Sequence, residues 1–162
     1  NIDIVRTPAT DMELDLLKFP WPFENESCDE IYSSHFIEHI PMAYTESGQD
    51  LLCAFMDECC RVLIVGGKAT FIFPWYNSVR CWQDPTHRRA ISDVTFCYFN
   101  KGWREQMSLG HYNIRCDFDF APSYNVEAPW AGRNEETRAF AMKAYTNVIQ
   151  DGQCICTKKA PT

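Results

Sequence analysis

From Gln49 to Leu63, apolar residues recur at steps of three and four: Leu51, Leu52, Phe55, Met56, Cys59, Val62 and Leu63. That spacing places them on one stripe of a helix. From Lys68 to Phe73 the pattern changes. Ala69, Phe71, Ile72 and Phe73 run almost without interruption, as in a strand covered on both faces within a parallel sheet. Gly66-Gly67, between the two, reads as the helix exit. Upstream, Asp29 to Ser34 carries Ile31 and Tyr32, which suit a pleated sheet. The pattern predicts a strand–helix–strand unit, with Asp29–Ser34 and Lys68–Phe73 parallel and adjacent.

The remaining segments are shorter. Ile2, Ile4 and Val5 make a brief strand, and Met12 to Leu17 another extended piece. Phe19-Pro20-Trp21-Pro22-Phe23 reads as a rigid connection, because its prolines remove donors and fix φ. A short turn through Phe36 to His39 stops before Pro41. Pro74 to Arg89 is long, irregular and rich in Trp, Pro and Arg, and loops of this length are often functional. Ser92 is placed to cap a helix through Phe99. His111 to Phe120 alternates as a strand. Asn134, followed by Glu135 and Glu136, reads as the start of a helix to about Tyr145, with acids in its first turn. Val148 to Lys158 is a last strand. This order predicts one α/β three-layer domain over residues 1–162, closing with an antiparallel pair of late strands.

Composition narrows the function classes. An apolar fraction of 46% with 14% aromatics fits a packed core. A net charge of −7 argues against a general nucleic-acid surface, which needs clustered basic residues. No stretch approaches the ~20 apolar residues of a membrane span. The first residues lack the basic and apolar regions of a signal peptide. The nine cysteines form an odd set, which favours free thiols in a reducing, cytoplasmic setting. Cys59 and Cys60 fall in the helix, Cys154 and Cys156 alternate along the last strand, and none has zinc-knuckle spacing.

Two stretches carry a family resemblance. One is an acidic strand running into Ser33-Ser34-His35, followed by Glu38-His39-Ile40-Pro41. The other is a helix ending Arg61-Val62-Leu63 with Gly66-Gly67-Lys68 leading into an apolar strand. Together with Asp15 and the Phe23-to-Ile31 segment, they resemble the Rossmann-like S-adenosylmethionine-dependent methyltransferases. Asp84-Pro85-Thr86-His87 is similar to a segment of a phage and bacterial branch of that family.

The resemblance implies roles. Asp3 matches the acid that holds the ribose hydroxyls of S-adenosylmethionine, and Asp15 the acid facing the adenine amine. Leu16 would lie along the adenine, and Ser34 and His35 would line the methyl-donor pocket. Each acid also fits a plain surface carboxylate at a strand end, and both histidines of the turn could simply pack it. Trp75, Tyr76 and Trp82 are candidates to wall an acceptor pocket, and Arg88 and Arg89 to hold an anionic group. An ordered loop with its arginines paired to nearby acids fits those residues equally well. His87 and His35 are the candidate catalytic residues, since imidazole titrates near neutrality. The implied acceptor is a small molecule or a surface-exposed group.

The resemblance starts at the family's second strand. Its first strand and Gly-rich loop have no counterpart here, so the expected sheet is truncated at the N-terminus. The expected consequences are weak cofactor binding by this chain alone and an open edge beside Asp29–Ser34, covered most simply by a second copy. A non-catalytic binding or assembly module is the alternative. His35-x-x-Glu38-His39 also spells the inverted zinc-protease motif. Its helix is too short and no third ligand can be picked out of the sequence, so no metal is expected.

Overall fold

The computed structural model describes residues 1–161. Two short parallel strands come first, β1 (Ile2–Asp3) and β2 (Met12–Glu13), and they pair only with each other. The main sheet holds β3 (Cys28–Ser34), β4 (Leu63–Pro74), β5 (Phe118–Val126) and β6 (Ile149–Lys158). Its order is β3-β4-β6-β5. β3 and β4 are parallel, while β6 runs antiparallel to both β4 and β5. The helices are α1 (Leu51–Val62), α2 (Val79–Gln83), α3 (Lys101–Gln106), α4 (Ala128–Ala131) and α5 (Glu135–Ala144). No helix among the described residues is long and apolar enough to cross a membrane.

The predicted strand–helix–strand unit is therefore β3, α1 and β4. Asp50 starts α1 by accepting the Leu52 N–H at 2.9 Å, which satisfies a donor the helix cannot. The apolar stripe is buried, with Leu52, Phe55, Met56, Cys59 and Val62 in the core. The polar side of α1 is also tied down. Asp57 is buried and accepts the N–H groups of Arg115 and Cys116 at 2.9 and 2.8 Å. Glu58 accepts the Trp21 N–H at 2.7 Å and the Arg61 guanidinium at 2.6 Å. Trp21 in turn donates its indole N–H to the Leu16 carbonyl, at 3.1 Å. The small β1–β2 unit is thus roped to α1 although it shares no ladder with the main sheet.

One face of the sheet is dry. Ala69, Phe71 and Phe73 of β4 are fully buried, and opposite them lie Cys156, Cys154 and Gly152 of β6. Phe71 and Phe73 meet Phe96 at ring-centroid distances of 5.9 and 5.5 Å. The other face is only partly covered: Thr70, Ile72, Gln153 and Ile155 are half-buried, and Tyr32 of β3 is 65% exposed. The apolar run of β4 had implied equal cover on both sides. β3 is a terminal strand of the sheet, which leaves Tyr32 without a flanking strand on that side.

Two sequence expectations need correction. Gly66-Gly67 is not the helix exit. α1 ends at Val62 and β4 begins at once, with the glycines inside the strand. There the register against β3 slips, Cys28 facing Leu63 and Glu30 facing Lys68. Gly66 takes φ +80° to absorb the extra residues. The strand expected from His111 to Phe120 instead begins at Phe118 and runs to Val126, Gly110–Tyr112 forming a 3-10 turn. Pro122 lies inside β5, where an edge position tolerates its missing N–H. The helix after Asn134 and the last strand fall where expected. Ser92 does precede a helix, of 3-10 type, over Asp93–Phe99.

Gly152 is a packing requirement. A Cβ there would lie 2.8 Å from Phe73 and 2.9 Å from Trp75 ring atoms. Gly152→Ala is expected to cost about 1–3 kcal/mol through overpacking, read as a lower urea midpoint at unchanged slope. All nine cysteines are free thiols. Burial pushes the Cys53 thiol up from 9.0 to about 11, with the charges of Asp50 and Asp57 adding to the effect. Because the folded value is raised, this stability is complete below 9.0 and is lost as pH climbs toward 11. Thermal melts should show a decline across that window that Cys53→Ala makes shallower.

Candidate functional site

β3 and β4 end side by side. Ser34 pairs with Ile72, and the His35 N–H donates to the Ile72 carbonyl at 2.9 Å. His35 then turns the chain with φ +52°, a left-handed conformation in which His is enriched among non-glycines. A 3-10 turn follows, Ile37–His39. Ile37 and Ile40 are anchored in the core, and Glu38 between them is carried in at 0% exposure.

β4 runs out into Trp75 and Tyr76, and the chain then forms α2 behind the Ser78 cap. It returns so that the Tyr76 N–H reaches the Ile91 carbonyl at 3.1 Å. On the way back, the N–H groups of Arg88 and Arg89 both donate to the Glu38 carbonyl, at 2.7 and 3.1 Å. That clamp lays the returning segment against the turn after β3, and His87 arrives beside Glu38.

The resulting cluster is dense in titratable groups. His35 Nδ1 lies 3.4 Å and His87 Nε2 4.0 Å from Glu38 Oε1. Asp84 Oδ2 is 3.9 Å from His87 Nε2. The His39 and His87 rings meet edge to face, 4.6 Å between centroids. His39 Nδ1 is 3.0 Å from the Thr86 hydroxyl, which itself donates to Asp84 at 2.7 Å. The Thr86 hydroxyl and N–H hold the Asp84 carboxyl below its usual range. Neither carboxylate oxygen of Glu38 has a hydrogen-bond partner among the described residues. Ligand atoms of Glu38, His39 and His87 lie within 4.8 Å of one another.

The residues picked from sequence fall into separate groups. Asp3 is exposed at the end of β1 and accepts the Val5 N–H at 3.0 Å. Asp15 follows β2, accepting the Leu17 N–H at 3.0 Å, with Leu16 next to it. Ser34, His35 and His87 come together at the β3–β4 end. Trp75 and Tyr76 line a cleft of about 840 Å³ shared with Tyr124, Asp93 and Arg138. Trp82 is 70% exposed and donates its indole N–H to the Tyr76 carbonyl. Arg88 is exposed. Arg89 is engaged by the chain itself, donating to the carbonyls of Ile40 and Pro41 at 2.9 and 2.6 Å and to Asp50 at 2.8 Å. Glu38, His39, Asp84 and Thr86 were not picked as site residues, although Glu38-His39 and Asp84-Pro85-Thr86-His87 are the strings that bring the cluster together.

No known protein family and no curated protein matches the chain by sequence. Solved structures do match by shape. An S-adenosylmethionine-dependent methyltransferase from Archaeoglobus fulgidus superposes with a TM-score of 0.57 at 16% identity, over 91% of this chain and 66% of that one. A chain of the Haloferax volcanii complex between the Trm112 methyltransferase activator and a methyltransferase gives 0.49 at 12% identity, over 90% and 60%. A methyltransferase-like protein of Bacillus halodurans gives 0.46 at 15%, over 98% and 78%. The chain shares the fold of S-adenosylmethionine-dependent methyltransferases. It spans about two thirds of the length of the Archaeoglobus enzyme. Identities this low establish the fold and leave the activity to the site.

Arg89 gives the structural test of this region. Arg89→Ala removes its bonds to Ile40, Pro41 and Asp50 and leaves the α1 cap with one fewer partner. The expected cost is about 1–3 kcal/mol, seen in urea unfolding together with faster proteolysis between Pro74 and Ile91.

Proposed function

We propose that the chain is an S-adenosylmethionine-dependent methyltransferase domain, or a portion of one, acting on a small or surface-exposed acceptor. The observation that carries this reading is the gathering of Ser34, His35 and His87 at the carboxyl ends of the adjacent parallel strands β3 and β4, with the Trp75–Tyr76 cleft a separate feature beyond the end of β4. Open α/β sheets bind ligands at that edge. In this reading Asp3 accepts from the ribose hydroxyls, Asp15 from the adenine amine, and Leu16 lies along the base. Ser34 and His35 face the methyl donor. Trp75, Tyr76 and Trp82 wall the acceptor, and Arg88 meets an anionic group on it. Arg89 holds the loop in place.

Methyl transfer asks for alignment above all. The sulfonium is already a good leaving group, so holding the acceptor close and in line supplies most of the acceleration. A proton lost from the acceptor needs a nearby imidazole, and His35 and His87 are the candidates.

A second reading is favoured by one observation, the position of β3 at the sheet's edge with Tyr32 exposed. Such an edge templates another strand, which fits an assembly module or a dimer of this chain. Calorimetric titration with S-adenosylhomocysteine separates the readings. Saturable heat that Asp15→Ala weakens by about 1–3 kcal/mol, with a smaller loss for Asp3→Ala, is the methyltransferase outcome. Absent heat, together with concentration-dependent dimerisation in sedimentation, is the assembly outcome. Binding untouched by both substitutions would overturn the assigned roles.

A further inference from the structure

We propose that Glu38, His39 and His87 bind one divalent first-row transition-metal ion. Their ligand atoms already lie within 4.8 Å of one another. Ligands held at about 2.0–2.2 Å from one tetrahedral cation lie roughly 3.3–3.6 Å apart. Closure therefore needs the ligand atoms to draw together by a little over about an ångström, an adjustment shared among three side chains.

The burial of Glu38 points the same way. Its side chain is 0% exposed, and neither oxygen has a hydrogen-bond partner among the described residues. A buried carboxylate is normally paired, hydrogen-bonded or bound to metal. The ring nitrogens nearest it, His35 Nδ1 at 3.4 Å and His87 Nε2 at 4.0 Å, make no hydrogen bond to it, and the His87 distance leaves room for a cation between the two groups.

The hydrogen-bond network sets both rings for that task. His87 Nδ1 is 2.9 Å from the Cys81 carbonyl. A carbonyl only accepts, so Nδ1 carries a proton, and in the neutral ring Nε2 keeps its lone pair. The Thr86 hydroxyl gives its proton to Asp84, so it accepts from His39 Nδ1 at 3.0 Å. His39 Nε2 is then the free lone pair. Metal-ligating histidines are oriented in this manner by partners of the other ring nitrogen.

Two imidazoles and one carboxylate form the donor set of open zinc and non-haem iron or manganese sites. The arrangement differs from the inverted zinc-protease order. The turn is only a short 3-10 element, so His35 and His39 do not share a helix face, and Glu38 is a ligand where the protease uses its Glu as a base. The third ligand comes from the returning segment, as His87. Cys81 takes part through its carbonyl, which holds His87 Nδ1, and its thiol is not among the clustered ligand atoms.

The cation's function rests on the methyltransferase reading: at the β3–β4 end it would hold and polarise an acceptor oxygen. With the His87 lone pair on the metal, His35, 43% exposed at its side chain, is left to take the acceptor's proton.

The binding claim is tested without the cofactor. The full chain, stripped with EDTA, is titrated with Zn²⁺ and with Co²⁺. The expected result is one ion per chain, a raised thermal midpoint, and a cobalt spectrum free of thiolate charge-transfer absorption. His87→Gln and His39→Gln should each weaken binding by at least about tenfold, and Glu38→Gln, which preserves shape, should abolish the midpoint shift. Circular dichroism confirms that the variants fold. Lack of stoichiometric binding, binding indifferent to His39 and His87 substitution, or a thiolate band would overturn the proposal. Metal binding without S-adenosylhomocysteine binding would leave this site standing and remove the methyltransferase reading.

Discussion

Much of the candidate site hangs from one carbonyl oxygen. The Glu38 carbonyl accepts the N–H groups of Arg88 and Arg89, and this fork fixes where the long segment after β4 returns. Arg89 repeats the attachment with its side chain, gripping the Ile40 and Pro41 carbonyls. His87 is thereby delivered to the Glu38 carboxylate, and Thr86 and Asp84 to His39. The segment beyond α2, itself without regular structure, acquires a defined geometry because its backbone donors have fixed acceptors on a rigid turn.

The rigidity of that turn comes from below. Ile37 and Ile40 are locked into the core on either side of Glu38, and the core is the dry face of the sheet with the stripe of α1. β4 anchors it, paired with β3 on one side and β6 on the other. Asp57 and Glu58 join α1 to the segments around Cys116 and Trp21, satisfying backbone groups that burial would otherwise strand. The β1–β2 unit depends on these ropes. Asp3 and Asp15 therefore sit on a piece of the molecule held by side chains, while His35 and His87 sit on the sheet's own end.

Legibility followed the range of the interactions. The helix at Leu51–Val62 and the parallel partnership of β3 with β4 were readable because apolar periodicity is local and encodes which face is buried. The helix after Asn134 was readable from its cap and first-turn acids. Gly66-Gly67 misled because glycines mark helix exits and bulges alike, and only the register against β3 tells which. The start of β5 misled because Ile114 and Cys116 alternate as a strand would, yet Asp57 takes the N–H groups of Arg115 and Cys116 that a ladder would need.

The sequence by itself determined the α/β alternation, the central strand pair and the segments that meet at its carboxyl end, since each is written in periodicity and turn chemistry over a few residues. It also marked His35 and His87 as reactive candidates. Only the tertiary structure decided that Glu38 would be buried without a partner, that His39 and His87 would share its neighbourhood, and that Arg89 would bind its own chain. Those outcomes depend on distances between residues far apart along the chain. The register of a strand pair and the landing point of a returning loop set such distances, and no local pattern carries them.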